Sequence, residues 1–211
     1  MSSVVLDAPR LVKALEAVSA LIAENRDFLV ELDSRAGDGD LGISMDNGYK
    51  AVVKALQGTA EKDLGKLLMQ CGRVFNEASP SSLGTITSFG FMGMARALKG
   101  KENADLKELS AAMENGLVLI MDKAGSKQGE KTILDSLSPA ITALKANADK
   151  PAQEAFAAAA SAAADGAEST RQMRAVHGRA AYYEDGGVGY LDGGAVVGKL
   201  IFEAIWQVSA Q

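Results

Sequence analysis

The stretch Leu64-Gly-Lys-Leu-Leu-Met-Gln-Cys-Gly-Arg-Val-Phe75 decides the fold class, because its large apolar residues stand three or four positions apart. This spacing follows the 3.6-residue turn of an α-helix and gives the helix one apolar face. Strand-like alternation of apolar and polar residues is absent from the chain, whereas helical runs recur on both sides of this stretch. They cover approximately residues 11–22, 26–32, 45–56, 85–98, 105–123, 132–146, 151–174 and 195–209. The sequence therefore predicts an all-α protein.

Two of these runs, and the only cysteine, carry more specific expectations. Pro139 lies inside the run 132–146 and should kink that helix, because proline removes one backbone hydrogen bond and crowds the preceding turn. Alanine dominates residues 155–164, which we expect to form a central helix that lets its neighbours approach closely. Cys71 lies among apolar residues and is expected in the core.

Length and charge exclude several classes of protein. The 211 residues suffice for one large domain or two small ones without a disulfide or metal staple. The net charge of −5 gives no indication of the basic surface that a nucleic-acid-binding protein needs. No apolar run approaches the ~20 residues of a membrane span. Residues 1–6 show no charged region followed by an apolar one, as a signal peptide would. We therefore expect a cytoplasmic protein whose partners are proteins and small molecules.

The run Asp33-Ser-Arg-Ala-Gly-Asp-Gly-Asp-Leu-Gly42 holds three carboxylates close together. Carboxylates at this spacing repel one another unless a cation neutralises them, and Mg²⁺ and Ca²⁺ prefer oxygen ligands. The glycines at 37, 39 and 42 can adopt positive φ and so turn the side chains toward one point. The pattern predicts a metal loop with the ligands Asp33, Asp38 and Asp40. A solvated acidic turn is the alternative, and a structural Ca²⁺ site is disfavoured because the EF-hand glutamate is missing.

The connections between the helical runs alternate in composition. If each helix turns back against the last, the connections after the second, fourth, sixth and eighth helices emerge at one end of the bundle. These four are rich in Asp, Ser, Gly, Lys and Arg, and they span residues 33–42, 76–84, 124–131 and 175–194. Helices that begin at this end, here called the rim, would direct free N–H groups at a bound phosphate. We therefore expect a Mg-nucleotide site on the rim.

Four motifs, in order, resemble those of the nucleotide-binding, L-type subunit of dihydroxyacetone kinase: Gly37-Asp-Gly-Asp-Leu-Gly42, Gly129-Glu-Lys-Thr-Ile-Leu-Asp135, Gly178-Arg-Ala-Ala-Tyr182 and Asp192-Gly-Gly-Ala195. The resemblance covers nearly the whole chain and implies a single domain over residues 1–211. It also implies a closed barrel or bundle of about eight antiparallel amphipathic helices. Members of this family hold ADP or ATP at one rim through two Mg²⁺ ions bound by three Asp, which match Asp33, Asp38 and Asp40.

The resemblance further implies a set of nucleotide-binding positions. Next to the phosphates, the matching residues are Leu41, Gly42, Ile43, Ser44, Ala78 and Ser79. The family's glycine-rich phosphate loop is replaced here by residues 76–84, where Pro80 donates no N–H. Hydroxyls are expected to substitute for it, from Ser81, Ser82 and Thr85. For Ser44, capping of a helix is the alternative role.

The other implied positions surround the rest of the nucleotide. Ala124, Gly125 and Ile133 match residues that line the base and ribose, although ordinary helix-end and core packing would explain them equally well. Arg179 matches an arginine near the nucleotide, and its fork of donors suits a phosphate oxygen; a solvent-facing side chain is the alternative. The positions that close over the nucleotide are Asp192, Gly193 and Gly194.

The function that the resemblance implies is transfer of a phosphoryl group to a hydroxyl of dihydroxyacetone or a related short ketose. In the family, a histidine of a separate substrate-binding subunit holds the ketose covalently, and His177, the only histidine here, is expected to be a surface residue. The chain should therefore act only with that subunit. The donor stays open between ATP and a phosphohistidine carrier protein of the phosphotransferase system, as does the oligomeric state, a homodimer included. A non-catalytic nucleotide-binding regulatory module is the alternative function.

Overall fold

The computed structural model describes residues 5–35 and 37–209, and their regular structure is almost entirely α-helical. No helix in this part of the chain is both long and apolar enough to cross a bilayer. The described helices are α1 (Ala8–Glu24), α2 (Arg26–Ser34), α3 (Leu41–Leu56), α4 (Leu64–Ala78), α5 (Ser82–Ala97), α6 (Leu106–Ala124), α7 (Leu134–Ala146), α8 (Ala152–Ser169) and α9 (Gly193–Ser209).

Eight of these helices form a closed ring. α1 packs against α3, each helix from α3 to α8 packs against the next one in the chain, and α9 returns to α1. The short α2 lies beside this ring, against α3 and α9. The predicted all-α fold is confirmed, and the ring of eight helices agrees with the expected barrel, with α2 as an addition. A small departure is a two-residue antiparallel ladder between β1 (Leu6–Asp7) and β2 (Asn103–Ala104), where no strand was expected.

The stretch that predicted the fold class forms the buried face of α4. Leu64, Leu67 and Phe75 are fully buried, and the ring of Phe75 meets that of Tyr49 edge-on at 4.9 Å between centroids. Cys71 lies on the same face, and burial raises the pKa of its thiol to about 12. The thiol therefore stays protonated at neutral pH, and the prediction that Cys71 is a core residue is confirmed.

The alanine-rich segment forms α8, which packs between α7 and α9 as one member of the ring, so the expected central position is not observed. Its buried positions are Ala155, Phe156, Ala159, Ala163 and Ala167. The helix is shorter than predicted, because it ends at Ser169 rather than near residue 174. The hydroxyl of Thr170 donates to the carbonyl oxygen of Ala167 at 2.6 Å, and the chain continues as a 3₁₀ turn over Thr170–Gln172.

Pro139 does not end α7, which continues to Ala146. Because proline has no N–H, the carbonyl group of Asp135 lacks the donor that would normally stand four residues later. Gly166 of α8 packs directly on this carbonyl group, since a Cβ atom at position 166 would lie 2.0 Å from the Asp135 oxygen. Pro139 and Gly166 therefore act together to bring α7 and α8 into close contact.

This contact predicts the sign of a substitution. In an open helix, Gly→Ala stabilises by about 1 kcal/mol, but here the added methyl group must displace the Asp135 carbonyl group. We expect Gly166→Ala to lower the free energy of unfolding by about 1–3 kcal/mol in urea denaturation. Ser161→Ala, on the exposed face of the same helix, is the control and should change it little. A more stable Gly166→Ala variant would contradict the close contact.

Candidate metal and phosphate site

The loops expected at the rim are joined by direct contacts. The acidic loop meets the segment 175–194 where the guanidinium of Arg179 donates to Asp38 at 2.6 Å. The start of α3 meets the connection between α4 and α5 through the hydroxyls of Ser44 and Ser79, 2.6 Å apart. The backbone N–H of Val176 donates to the carbonyl oxygen of Glu130 at 3.3 Å and so joins segment 175–194 to the connection 124–131. The four polar connections thus meet at one end of the ring.

The three predicted carboxylates converge at this end of the ring. Asp33 lies in the last turn of α2, and Asp40 immediately precedes α3. One carboxylate oxygen from each of Asp33, Asp38 and Asp40 lies within 4.8 Å of the other two. An all-oxygen set that is partly open to solvent is the arrangement that Mg²⁺ takes in proteins. The donor set therefore fits a hard divalent cation.

Backbone groups hold the acidic loop in this shape. Oδ2 of Asp33 accepts hydrogen bonds from the N–H groups of Gly39 at 2.7 Å and Asp40 at 3.1 Å. Gly39 has the expected positive φ of 75°, whereas Gly42 lies within the first turn of α3. Gly42 is instead needed for space, because a Cβ atom there would lie 2.2 Å from the carbonyl oxygen of Arg26. A side chain at Gly37 would likewise collide with Asp33.

The carboxylates carry more negative charge than their surroundings neutralise. Burial raises the pKa of Asp40, and repulsion from Asp38 and Asp33 raises it further. Arg179 opposes this shift through its positive charge, and its side chain is 64% exposed. A cation bound among the three carboxylates would remove the repulsion that remains. Asp38 has an alternative partner in Arg179, so metal and guanidinium would compete for it.

A cluster of hydroxyls lies directly beyond the acidic loop. Ser44, in the first turn of α3, is within 2.6 Å of the hydroxyl oxygens of both Ser79 and Ser81. Ser81 also accepts from the N–H of Gly84 at 3.1 Å and so caps α5. The cluster fixes the start of α5 beside the start of α3. Ser44 is therefore not a simple helix cap, because its hydroxyl bonds to another loop.

The loop that replaces the family's glycine-rich run is shorter than its sequence suggested. α4 includes Ala78 and α5 begins at Ser82, so only three residues connect these helices. Ser79 is fully buried, and its hydroxyl bonds to Ser44. Ser82 is exposed in the first turn of α5, while Thr85 is half-buried behind it. Of the three hydroxyls expected to contact phosphate here, that of Ser81 caps α5, and that of Ser82 is the exposed one.

The start of α9 closes the other side of the site. Oδ2 of Asp192 accepts from the N–H of Ala195 at 2.7 Å and caps the helix. A Cβ atom at Gly193 would lie 2.4 Å from Leu41, so α9 meets the start of α3 through glycine. Gly194 similarly lies against Ile133, with 3.3 Å from its virtual Cβ to the Ile133 nitrogen. The predicted residues Leu41, Ile133, Asp192, Gly193 and Gly194 therefore form one contiguous group.

The residues expected around the base are less uniform. Ile133 is 4% exposed and belongs to the core beneath the rim. Ala124 ends α6, and Gly125 follows it with φ 60°, exposed, as a left-handed helix cap. Ile43, which was expected next to the phosphates, is 43% exposed in the first turn of α3. Ile133 therefore fits the alternative role of core packing, whereas Gly125 and Ile43 are accessible from solvent.

Asp192 has an unusual environment for a carboxylate. Burial raises its pKa from 3.8 to about 6, although the hydrogen bond from Ala195 and the nearby charge of Lys131 lower it. The carboxylates of Asp135 and Asp33 add to the upward shift. A positive group or a metal ion placed near Asp33 would therefore favour the ionised form of Asp192.

Sequence reasoning missed the polar groups that shape the rim loops. Asp135, 1% exposed, accepts from the N–H groups of Gly129 at 2.5 Å and Thr132 at 2.7 Å. His177, expected to be a surface residue, is 37% exposed, and its Nε2 lies 2.7 Å from Glu130, a hydrogen bond that lowers the Glu130 pKa. Polar residues in a glycine-rich loop suggest solvent exposure. Only the presence of Glu130 and Asp135 in one short motif could have indicated that they hold the loop in shape.

Comparison with known proteins identifies a family model and relatives that match most of the chain. The model of the DAK2 domain matches residues 35–207. The ADP-binding subunit of a PEP-dependent dihydroxyacetone kinase from Listeria innocua is 31% identical over 209 residues, covering 97% of this chain and 96% of the relative. Its counterpart from Escherichia coli is 28% identical, covering 90% and 91%. The L-erythrulose 1-kinase of Mycolicibacterium smegmatis is 27% identical, but this chain (94% covered) spans only 35% of it.

A solved structure shares the fold. The dihydroxyacetone kinase from C. freundii, in complex with AMP-PNP and Mg²⁺, superposes with a TM-score of 0.77 at 24% identity. The match covers 98% of this chain and 35% of that one. The helical ring described above therefore corresponds to about one third of that kinase.

The environment of Asp192 predicts a pH dependence of stability. Because its pKa is raised in the folded protein, protonated Asp192 favours folding, and this contribution is lost as the pH rises through about 6. Without Mg²⁺, Asp192→Asn should be more stable than wild type by on the order of 2 kcal/mol at pH 7.5 and by much less at pH 4.5. Urea denaturation at both pH values measures this. Asp122→Asn, on the surface, is the control, and a difference that stays constant with pH would contradict the assignment.

Proposed function

Because the chain belongs to the DAK2 domain family, we propose that it is the nucleotide-binding subunit of a kinase for dihydroxyacetone or a related short ketose. It binds Mg·ADP or Mg·ATP at the rim and passes a phosphoryl group to a ketose hydroxyl held by a separate subunit. The observation that carries this proposal is the convergence of three carboxylates within 4.8 Å of one another, beside an arginine and the starts of α3, α5 and α9.

Asp33, Asp38 and Asp40 hold two Mg²⁺ ions in this proposal. When bound, these ions neutralise the charge that spreads over the phosphoryl oxygens during transfer. The protein's own contribution is to hold the carboxylates in position, because the N–H groups of Gly39 and Asp40 donate to Asp33. Little side-chain chemistry is needed beyond positioning and electrostatics.

Arg179 binds a phosphate oxygen. Its guanidinium donates to Asp38 at 2.6 Å in the structure, and its exposed side chain can rotate away without disturbing the core. A metal ion on Asp38 competes for that carboxylate, while the phosphate offers Arg179 a new acceptor. The fork of guanidinium donors suits such an oxygen. Arg179 therefore changes partner from carboxylate to phosphate as the Mg-nucleotide binds.

The start of α5 supplies a second phosphate contact. Its free N–H groups and the exposed Ser82 face the rim beside the first turn of α3. The hydroxyl cluster of Ser44, Ser79 and Ser81 keeps these two helix starts together. On the opposite side, Asp192, Gly193 and Gly194 close over the nucleotide, Gly125 borders the base, and Ile43 lies next to the phosphates. The cluster thus replaces the family's glycine-rich loop as the element that fixes the phosphate pocket.

A separate subunit supplies the ketose. Two relatives that match over nine tenths or more of their length are ADP-binding subunits, whereas the single-chain kinase from M. smegmatis is about three times as long. The only histidine of the chain, His177, is engaged by Glu130. The names of the two subunits give PEP as the phosphoryl source, which favours a phosphohistidine carrier of the phosphotransferase system as donor over free ATP.

A regulatory module that binds nucleotide without transferring phosphate is the second candidate. The burial of Ser79, a residue that matches the family's phosphate loop, favours it. Both functions require Mg·nucleotide binding, so turnover in the presence of the substrate subunit separates them.

The metal assignment predicts the effect of removing one ligand charge. Asp38→Asn and Asp40→Asn should each abolish Mg-dependent ADP binding in calorimetry, because the lost charge is that of a ligand. Helix content by circular dichroism should not change, since both side chains are exposed. Asp149→Asn, 85% exposed and remote in sequence, is the matched control and should bind like wild type. Wild-type affinity in both ligand variants would refute the metal site.

The division of labour predicts an inactive isolated chain. Alone, the protein should bind Mg·ADP but should not phosphorylate dihydroxyacetone or erythrulose with ATP or a phosphohistidine carrier. Addition of the ketose-binding subunit should restore turnover, measured as sugar phosphate formed. His177→Ala should keep that turnover within a few-fold of wild type. A loss of ~10³-fold, roughly 4 kcal/mol, or activity of the isolated chain would show that the roles are divided differently.

A further inference from the structure

Lys131 has an unusual backbone conformation at the edge of the rim. It is the only residue other than glycine with a positive φ, at 60°, among residues 5–35 and 37–209. This left-handed conformation is uncommon for a side chain with a Cβ atom and is maintained only where the surroundings enforce it. The side chain turns inward, and the residue is 5% exposed. A strained and buried lysine in a glycine-rich neighbourhood requires an explanation that stability alone does not give.

The ammonium group of Lys131 links two segments that follow α8. It donates to the carbonyl oxygen of Thr170 at 2.5 Å and to that of Tyr190 at 2.7 Å. Its stem lies beneath Gly187, where a Cβ atom would stand 3.3 Å from the Lys131 Cε. We define the glycine loop as residues 173–191. Lys131 thus fastens the last part of the glycine loop to the end of α8.

Nearby carboxylates offset only part of the energetic cost of burying this cation. Burial lowers the pKa of Lys131, and Arg171 lowers it further, whereas Asp192, Asp135 and Asp185 raise it. An apolar side chain would avoid this desolvation, but it could not donate to the two carbonyl oxygens. The lysine therefore maintains a particular loop geometry at a cost in burial.

The glycine loop carries the arginine of the proposed phosphate site. Its other side-chain ties to the rim lie at the surface: Arg179 to Asp38 at 2.6 Å, His177 to Glu130 at 2.7 Å, and Arg35 over the ring of Tyr190 at 5.2 Å. Tyr190 is thus held twice, by Lys131 through its carbonyl oxygen and by Arg35 of the acidic loop through its ring. The Lys131 bonds are the buried ones in this set.

We infer that Lys131 is a positioning residue that anchors the glycine loop on the rim and thereby presents Arg179 to the phosphates of the bound nucleotide. This inference rests on the proposed function, because it assigns a task to the loop in nucleotide binding. It acts through the carbonyl oxygens of Thr170 and Tyr190, and Lys131 itself does not touch the nucleotide. The same anchor holds Tyr190 where Arg35 can reach it, so that the glycine loop and the acidic loop keep a fixed spacing.

Lys131→Met removes the donors and keeps most of the stem. Hydrogen exchange, measured without nucleotide, should show at least tenfold faster exchange of the Gly189 and Asp192 amides, which bond to Arg171 and Thr170. Lys99→Met, at an exposed position between α5 and α6, is the matched control and should leave both amides unchanged. Unchanged exchange in Lys131→Met would overturn the anchor.

A double-variant cycle tests whether the anchor acts through Arg179. Lys131→Met should weaken Mg·ADP binding tenfold or more in the wild-type background, but less than threefold in an Arg179→Ala background. A purely structural defect would weaken binding by the same factor in both backgrounds, and that result would overturn the inference. If Lys131→Met does not fold, Lys131→Gln, which keeps an amide donor, takes its place in the same cycle. A wild-type chain that binds no Mg·ADP would refute the proposed function, and the exchange measurement would then decide the anchor by itself.

Discussion

The mutual repulsion of three carboxylates, held within 4.8 Å of one another, is the constraint on which the arrangement of the rim depends. Two backbone N–H groups satisfy Asp33, and Arg179 offsets the charge of Asp38, but Asp40 keeps a raised pKa from burial and from its neighbours. This concentration of charge is tolerated because the carboxylates lie at the end of the ring and not within it. It also explains why a nucleotide should bind as its magnesium complex, since a bare phosphate would add to the repulsion.

Different interactions stabilise the ring and the rim. Leucines and alanines pack eight helices into a closed ring, and small residues such as Gly166 set how closely neighbouring helices approach. The rim contributes little apolar burial; it is held instead by hydrogen bonds between loops that are far apart in sequence. Ser44 with Ser79, Lys131 with Tyr190 and Arg179 with Asp38 are the principal ones. Substitutions at the rim should therefore alter binding more than helix content.

Much of the fold followed from local sequence, because each helix has its own apolar period. The bounds were less accurate where a polar side chain ends or starts a helix, as Thr170 does for α8 and Ser81 for α5. The acidic trio was recognisable because its members are close in sequence. Lys131 was not, since a lysine beside glycine suggests a solvated turn, and its acceptors lie 39 and 59 residues away. The partner of His177, Glu130, was hidden for the same reason. Local patterns predict helices and short-range clusters, but they do not reveal which loops meet.

We propose that the three carboxylates bind the metal ions that carry a nucleotide. The most direct measurement is a crystal structure of the chain with Mn²⁺ and ADP, in which anomalous scattering locates the metal without reference to its ligands. The expected result is two anomalous peaks beside Asp33, Asp38 and Asp40 and next to the phosphates, with the Arg179 guanidinium moved from Asp38 to a phosphate oxygen. ADP bound elsewhere, or at the rim without any anomalous peak beside these carboxylates, would contradict it.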